Sequence, residues 1–112
     1  MKEYYDYLKD ITELIYKIKR KPGIYLGHYS IIRFNAFLDG FSMGYNYPGH
    51  FTFYPDFQKY IDEKYNPKKL TENWAGILLR VAGDEGKALD KFFYEFKSFL
   101  QENNIDIPEI DQ

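Results

Sequence analysis

The sequence predicts an all-α fold, a single compact domain of about five helices with short loops. Three observations predict it. Apolar residues recur at spacings of three and four through most of the chain, the repeat of one helix face. Breaker pairs stand between those runs, at Pro22-Gly23, Asn66-Pro67 and Gly83-Asp84. A length of 112 residues with 45% hydrophobic content allows one domain with its own core, whereas two domains would each be too small.

The first helix is predicted over residues 3–20. Tyr4, Leu8, Ile11, Ile15 and Ile18 form its apolar stripe, flanked by Tyr5 and Leu14. Acidic residues lead, and Lys17, Lys19, Arg20 and Lys21 close the run, which complements the helix dipole. Pro22-Gly23 stops it. Ile24, Tyr25 and Leu26 are expected to tuck back onto the core. Ser30 is the expected N-cap of a second helix, Ile31 to about Gly44, with Phe34, Phe37, Leu38, Phe41 and Tyr45 inward. Gly40 and Gly44, four apart, would let another helix approach closely. Pro55 suits the first turn of a third helix, PDFQKYIDEKY, with Phe57, Tyr60, Ile61 and Tyr65 on one side. A fourth is predicted from about Thr71 to Ala82, with Trp74, Ile77, Leu78 and Val81 inward and Gly83 as C-cap. Asp84 caps a fifth, Glu85 to about Asn103, whose stripe is Leu89, Phe92, Phe93, Phe96, Phe99 and Leu100. GIYL and FTFY are the only candidate strands. The domain spans 1–112, with an acidic tail over 104–112 expected along the surface.

Composition narrows the function classes. Aromatic residues reach 21%, with twelve tyrosines and ten phenylalanines. Tyrosine joins an apolar body to a polar tip, so a surplus suits interfaces as well as cores. The net charge is −2, which argues against a nucleic-acid binder because phosphate binders carry a basic footprint. From Asp84 onward eight carboxylates face three lysines. The absence of cysteine excludes disulfides, thiol catalysis and thiolate-held metal. The charged amphipathic start is unlike a signal peptide, and no apolar run nears the roughly twenty residues that span a bilayer. A cytoplasmic protein without membrane contact is expected.

No catalytic constellation emerges. His28 and His50 lie in glycine loops without ligand spacing, and a metal site needs three or four ligands. Ser30, Ser42 and Ser98 lack the context of a nucleophile triad. Lys17 to Lys21 carries four basic residues, but before a turn that follows a helix C-terminus, not at a phosphate-cradling N-terminus. The C-terminal carboxylates, Glu95 and Glu102 among them, are expected on a solvated face opposite the phenylalanine stripe. No enzyme, cofactor or metal is therefore expected.

Four stretches form an ordered pattern over residues 17–96: RKPGIYLG, FLDGFSMGY, PDFQKYIDEKY and NWAGILLRVAGDEGKALDKFFYEF. The pattern resembles a group of small bacterial proteins with a K-x-R-P-G-M-Y-L-G loop, W-x-x-I-I and an E-x-x-A-L-x-x-F-F helix. Members of that group are immunity proteins of polymorphic-toxin and contact-dependent growth inhibition systems. The chain departs from it at Lys21, where Arg is usual, and Ile24, where Met is usual. Lysine does not reproduce the bidentate contact of arginine.

The resemblance implies that the protein binds and neutralises a cognate toxin C-terminal domain, with a nuclease, such as a tRNase, as the expected class. Charge and aromatic content then nominate the partner-binding residues. Asp84, Glu85, Tyr94, Glu95, Glu102, Asp106 and Glu109 supply the acidic and aromatic part. Tyr25, His28 and Tyr29 supply the exposed part of the loop before Ser30. Three rival readings are a regulatory or nucleic-acid module using Lys17 to Lys21, a small enzyme using His28 and His50 as a paired acid/base site, and a homodimer formed through exposed aromatics.

Overall fold

A computed structural model describes residues 2–45, 55–68 and 70–109. Among them the chain forms six helices and no strand: α1 (Lys2–Arg20), α2 (Pro22–Leu26), α3 (Ile31–Tyr45), α4 (Pro55–Tyr65), α5 (Trp74–Ala82) and α6 (Glu85–Glu102). The additional helix is α2, in the segment expected to be loop or strand. Proline's fixed φ suits a first helical position, and Pro22 opens α2 one residue after α1 ends. Gly27 closes it at φ 72°, a left-handed conformation that glycine adopts without strain. The FTFY stretch lies outside the described residues.

The chain folds into one helical globule with α6 at its centre, packed against α3, α4 and α5, while α1 packs on α2 and α3. The radius of gyration is 13.6 Å, against about 13 Å expected for a compact domain of this length. Phe92 of α6 is the hub of the core. Its ring centroid lies 4.7 Å from Phe34, 5.1 Å from Trp74, 5.3 Å from Phe57 and 5.4 Å from Phe96. Four helices therefore meet at one aromatic cluster. Tilted and edge-to-face ring pairs of this kind add about 0.5–1.5 kcal/mol each beyond the area they bury.

Among the described side chains, which do not include those of Tyr4, Tyr5 and Tyr45, the stripes hold with specific corrections. Phe37 and Val81, expected inward, are exposed at 36% and 42%, and Ile24 is exposed at 74%. Leu26 is the residue of α2 that enters the core. Tyr7, Thr12 and Ser42 are fully buried although they lie off the predicted stripes. Tyr7 and Ser42 satisfy each other through a hydrogen bond of 2.8 Å between α1 and α3, which removes the penalty for burying two hydroxyls. No described helix approaches Gly40 or Gly44 closely, since a Cβ at either would meet nothing within 4 Å among the described residues.

Helix α5 starts at Trp74 and not at Thr71, because Asn73 is its N-cap, with Oδ1 accepting from the Gly76 N–H at 2.9 Å. Residues 70–73 are instead held by a polar clamp from α4. The buried Asn66 donates to Asp62 at 2.9 Å and to the Leu70 carbonyl at 2.8 Å, and accepts from the Leu70 N–H at 3.1 Å. Gln58 donates to the Glu72 carbonyl at 3.2 Å and accepts from the Trp74 N–H at 2.6 Å. Asn66→Ala is expected to destabilise the fold by about 2–3 kcal/mol, since it removes a buried amide and strips both Leu70 backbone groups of their partners. Thermal unfolding would show the loss, and a variant as stable as the parent would dismiss the clamp.

The C-terminal segment is anchored and does not merely lie on the surface. Ile107 is buried, Tyr16 donates from its hydroxyl to the Ile107 carbonyl at 3.0 Å, and Lys19 lies 3.9 Å from Glu109. No helix among the described residues is long and apolar enough to cross a membrane.

Candidate functional site

The loop from Gly27 to Ser30 delivers residues to the first turn of α6. Ser30 is buried and caps α3, accepting from the Ile32 N–H at 3.1 Å. Its hydroxyl donates to Glu85 of α6. Asp84 caps α6, accepting from the Lys87 N–H at 2.8 Å. Gly86 allows the close approach: an added Cβ would lie 3.4 Å from the Tyr29 ring and 3.3 Å from the Asp84 carboxylate. Tyr29 donates from its hydroxyl to Asp90 Oδ1 at 2.5 Å. Burial first, then this bond and the Asp90 charge, hold the Tyr29 hydroxyl well above the usual phenol range, so it stays a donor at neutral pH.

One turn further along α6, four residues after Asp90, Tyr94 is 68% exposed. Tyr29, Asp84, Asp90 and Tyr94 thus form an aromatic and acidic strip along the N-terminal half of α6. His28 is exposed in the adjoining loop, and Ile32, 53% exposed, follows in the first turn of α3. Carboxylates beside exposed tyrosines offer apolar area, hydrogen-bonding tips and negative charge together, the composition of a protein-binding surface facing a basic partner.

The nominated residues do not make one patch. Asp84, Glu85, His28 and Tyr29 gather at the start of α6, although Glu85 is partly committed to Ser30. Tyr25 sits elsewhere, half-buried beside Phe37 at 6.1 Å and beside the end of α1. Glu102 ends α6, about 25 Å from Glu85 at the helical rise per residue. It accepts from Tyr60 at 3.4 Å, while Glu109 lies near Lys19 and the exposed Asp106 is in the same tail. Asp90 is the member that the nomination omits. Its signal in the sequence is the spacing of four to Tyr94 on the outer face of α6.

Glu95 is the clear correction. It is 1% exposed and faces α4, not solvent. Tyr60 donates to it at 3.2 Å, Lys64 at 2.8 Å, and Tyr65 also donates to it. Glu95 lies three residues after Phe92 and four before Phe99, so it shares their face of the helix. Burial raises its pKa, but the hydrogen bonds from Lys64 and Tyr65 and the Lys64 charge outweigh burial and leave it below the usual carboxylate value. The same contacts raise Lys64, chiefly through its bond to Glu95. Burial and then the bond to Glu95 push Tyr65 up to about 12. This cluster ties α4 to α6 with the Glu95 carboxylate turned inward.

A hollow of about 570 Å³ runs beside Gln58, Asp62, Asn66 and Leu70. Gln58, Asp62 and Asn66 on its wall belong to the clamp on the α4–α5 loop. Among the described residues no three His, Asp or Glu side chains converge as a metal-ligating set. His50 lies outside the described residues, and with it the pairing of the two histidines. Compared with family models, curated proteins and solved structures, the chain gives no match.

Proposed function

We propose that the protein is an immunity protein that acts in the cytoplasm without catalysis. It binds the C-terminal domain of a cognate toxin and occludes its active site or the path of its substrate. The observation that carries the reading is the strip of Tyr29, Asp90 and Tyr94 beside Asp84, with Tyr94 68% exposed. The motif resemblance over residues 17–96 supports it, and its FF segment lies on α6, the helix that carries Asp90 and Tyr94. A nuclease is the proposed class of toxin, because a cleft that holds a phosphate backbone is basic and an acidic surface fits it. The distal Glu102, Asp106 and Glu109 act, in this reading, as a rim that steers encounter.

The test is co-purification. The tagged protein is expressed with the reading frames beside its own gene and washed at high salt. The expected result is a stoichiometric partner that is toxic alone and harmless in the complex. Tyr94→Ala combined with Asp90→Lys is expected to weaken the complex by a hundredfold or more, the loss of about 2–4 kcal/mol typical of a central anchor. Nucleic acid retained at low salt and released at high salt, with no protein partner, would overturn the proposal.

A further inference from the structure

The end of α1 and the start of α2 enclose a second feature, unrelated to the acidic strip. Lys17, Arg20, Lys21 and Tyr25 line a hollow of about 240 Å³. Among the described residues three cations and a phenol line it, and no carboxylate does. Among the described residues none of the three cations makes an ion pair. Arg20 Nη1 is buried and has no hydrogen-bond partner. A guanidinium nitrogen held out of water without an acceptor is costly, and Arg20 stands at the hollow with donor capacity that no described residue fills.

Two of the carbonyls at this helix end, which would otherwise repel an anion, are occupied. The Lys21 N–H donates to the Lys17 carbonyl at 3.1 Å, and the Ile24 N–H donates to the Lys21 carbonyl at 3.2 Å. What remains at the hollow is positive charge with unfilled donor capacity.

We infer that the hollow lined by Lys17, Arg20, Lys21 and Tyr25 binds a phosphate monoester group. Two ammonium groups supply mobile charge and the guanidinium supplies planar, forked donors, which together match a compact dianion. A phosphodiester polymer fits less well, because it needs a basic stripe to follow. The basic surface here ends abruptly. One and two turns back from Lys17 along α1 lie Glu13 and Asp10, and on the other side Lys19 faces Glu109. The inference does not rest on the immunity reading.

The experiment is an NMR titration of the full chain with inorganic phosphate and then glycerol phosphate, with ionic strength held constant by sodium chloride. Saturable shifts are expected at the Arg20 Nε–H and at Tyr25, with glycerol phosphate acting like phosphate. Lys17→Ala combined with Lys21→Ala changes two exposed residues and keeps the fold, as the unchanged remainder of the spectrum would show. In that variant the affinity is expected to fall at least tenfold, the loss of about one charge-assisted hydrogen bond. Shifts reproduced by sodium chloride alone, or an affinity unchanged in the double variant, would overturn the assignment. So would tighter binding of a short single-stranded RNA with a steep salt dependence, which would make the basic end a polymer contact.

Discussion

Phe92→Ala is expected to lower the urea midpoint by about 2 M, from a loss of about 3–5 kcal/mol at an ordinary denaturant slope. The ring is fully buried and touches aromatic residues of α3, α4 and α5 as well as its own helix. Alanine leaves a cavity between four helices, which cannot all move inward at once, so relaxation fills little of it. The ring pairs with Phe34, Phe57 and Trp74 are lost in addition to buried area. Total stability of a domain this size is about 5–15 kcal/mol, so the variant sits close to the threshold of folding. The contrast is Tyr94→Ala on the same helix, where a 68% exposed ring is removed and stability is expected to stay within about 0.5 kcal/mol. Equal losses in the two variants would mean that α6 does not present these faces.

Glu95→Gln should destabilise the protein by about 1–2 kcal/mol at neutral pH, because an amide keeps the shape but loses charge-assisted bonds. The pH dependence distinguishes this from simple packing. The folded-state pKa of Glu95 lies below its ordinary value. Its contribution is therefore complete above the unfolded value of about 4.3 and is lost as pH falls through the folded value. The gap between parent and Glu95→Gln should be widest near neutrality and close in acid. The opposite signs apply to its partners. Lys64 and Tyr65 are raised, so what they contribute is complete below about pH 10 and fades as pH rises through their folded values. The link between α4 and α6 is thus lost at both extremes. A gap that stayed constant from acid to neutral pH would show that Glu95 is not charged in the fold.

Much of this protein was legible from local rules. Asn66-Pro67 ended α4, Gly83 closed α5 in the left-handed region at φ 77°, and Asp84 opened α6. These are properties of single residues and their backbone, which tertiary contacts did not override. Helix α2 was missed because five residues carry no readable periodicity, and its proline and glycines read equally as a turn. The candidate surface was half legible. The acidic and tyrosine-rich C-terminal region pointed to α6, but only the approach of the 27–30 loop over Gly86 put Tyr29 against Asp90.

The sequence by itself determined the all-α class, five of the helices and the phenylalanine face of α6, because helical spacing fixes the angle at which each side chain leaves its axis. The tertiary structure decided which borderline residues lie inside. Phe37 and Val81 lie outside and Tyr7, Ser42 and Glu95 inside, since burial depends on which neighbour covers a given angle. A polar group is admitted only where that neighbour brings its partner. Ser42 does so for Tyr7, and Tyr60, Lys64 and Tyr65 do so for Glu95. Such partners lie some thirty residues away along the chain, beyond the reach of any local pattern.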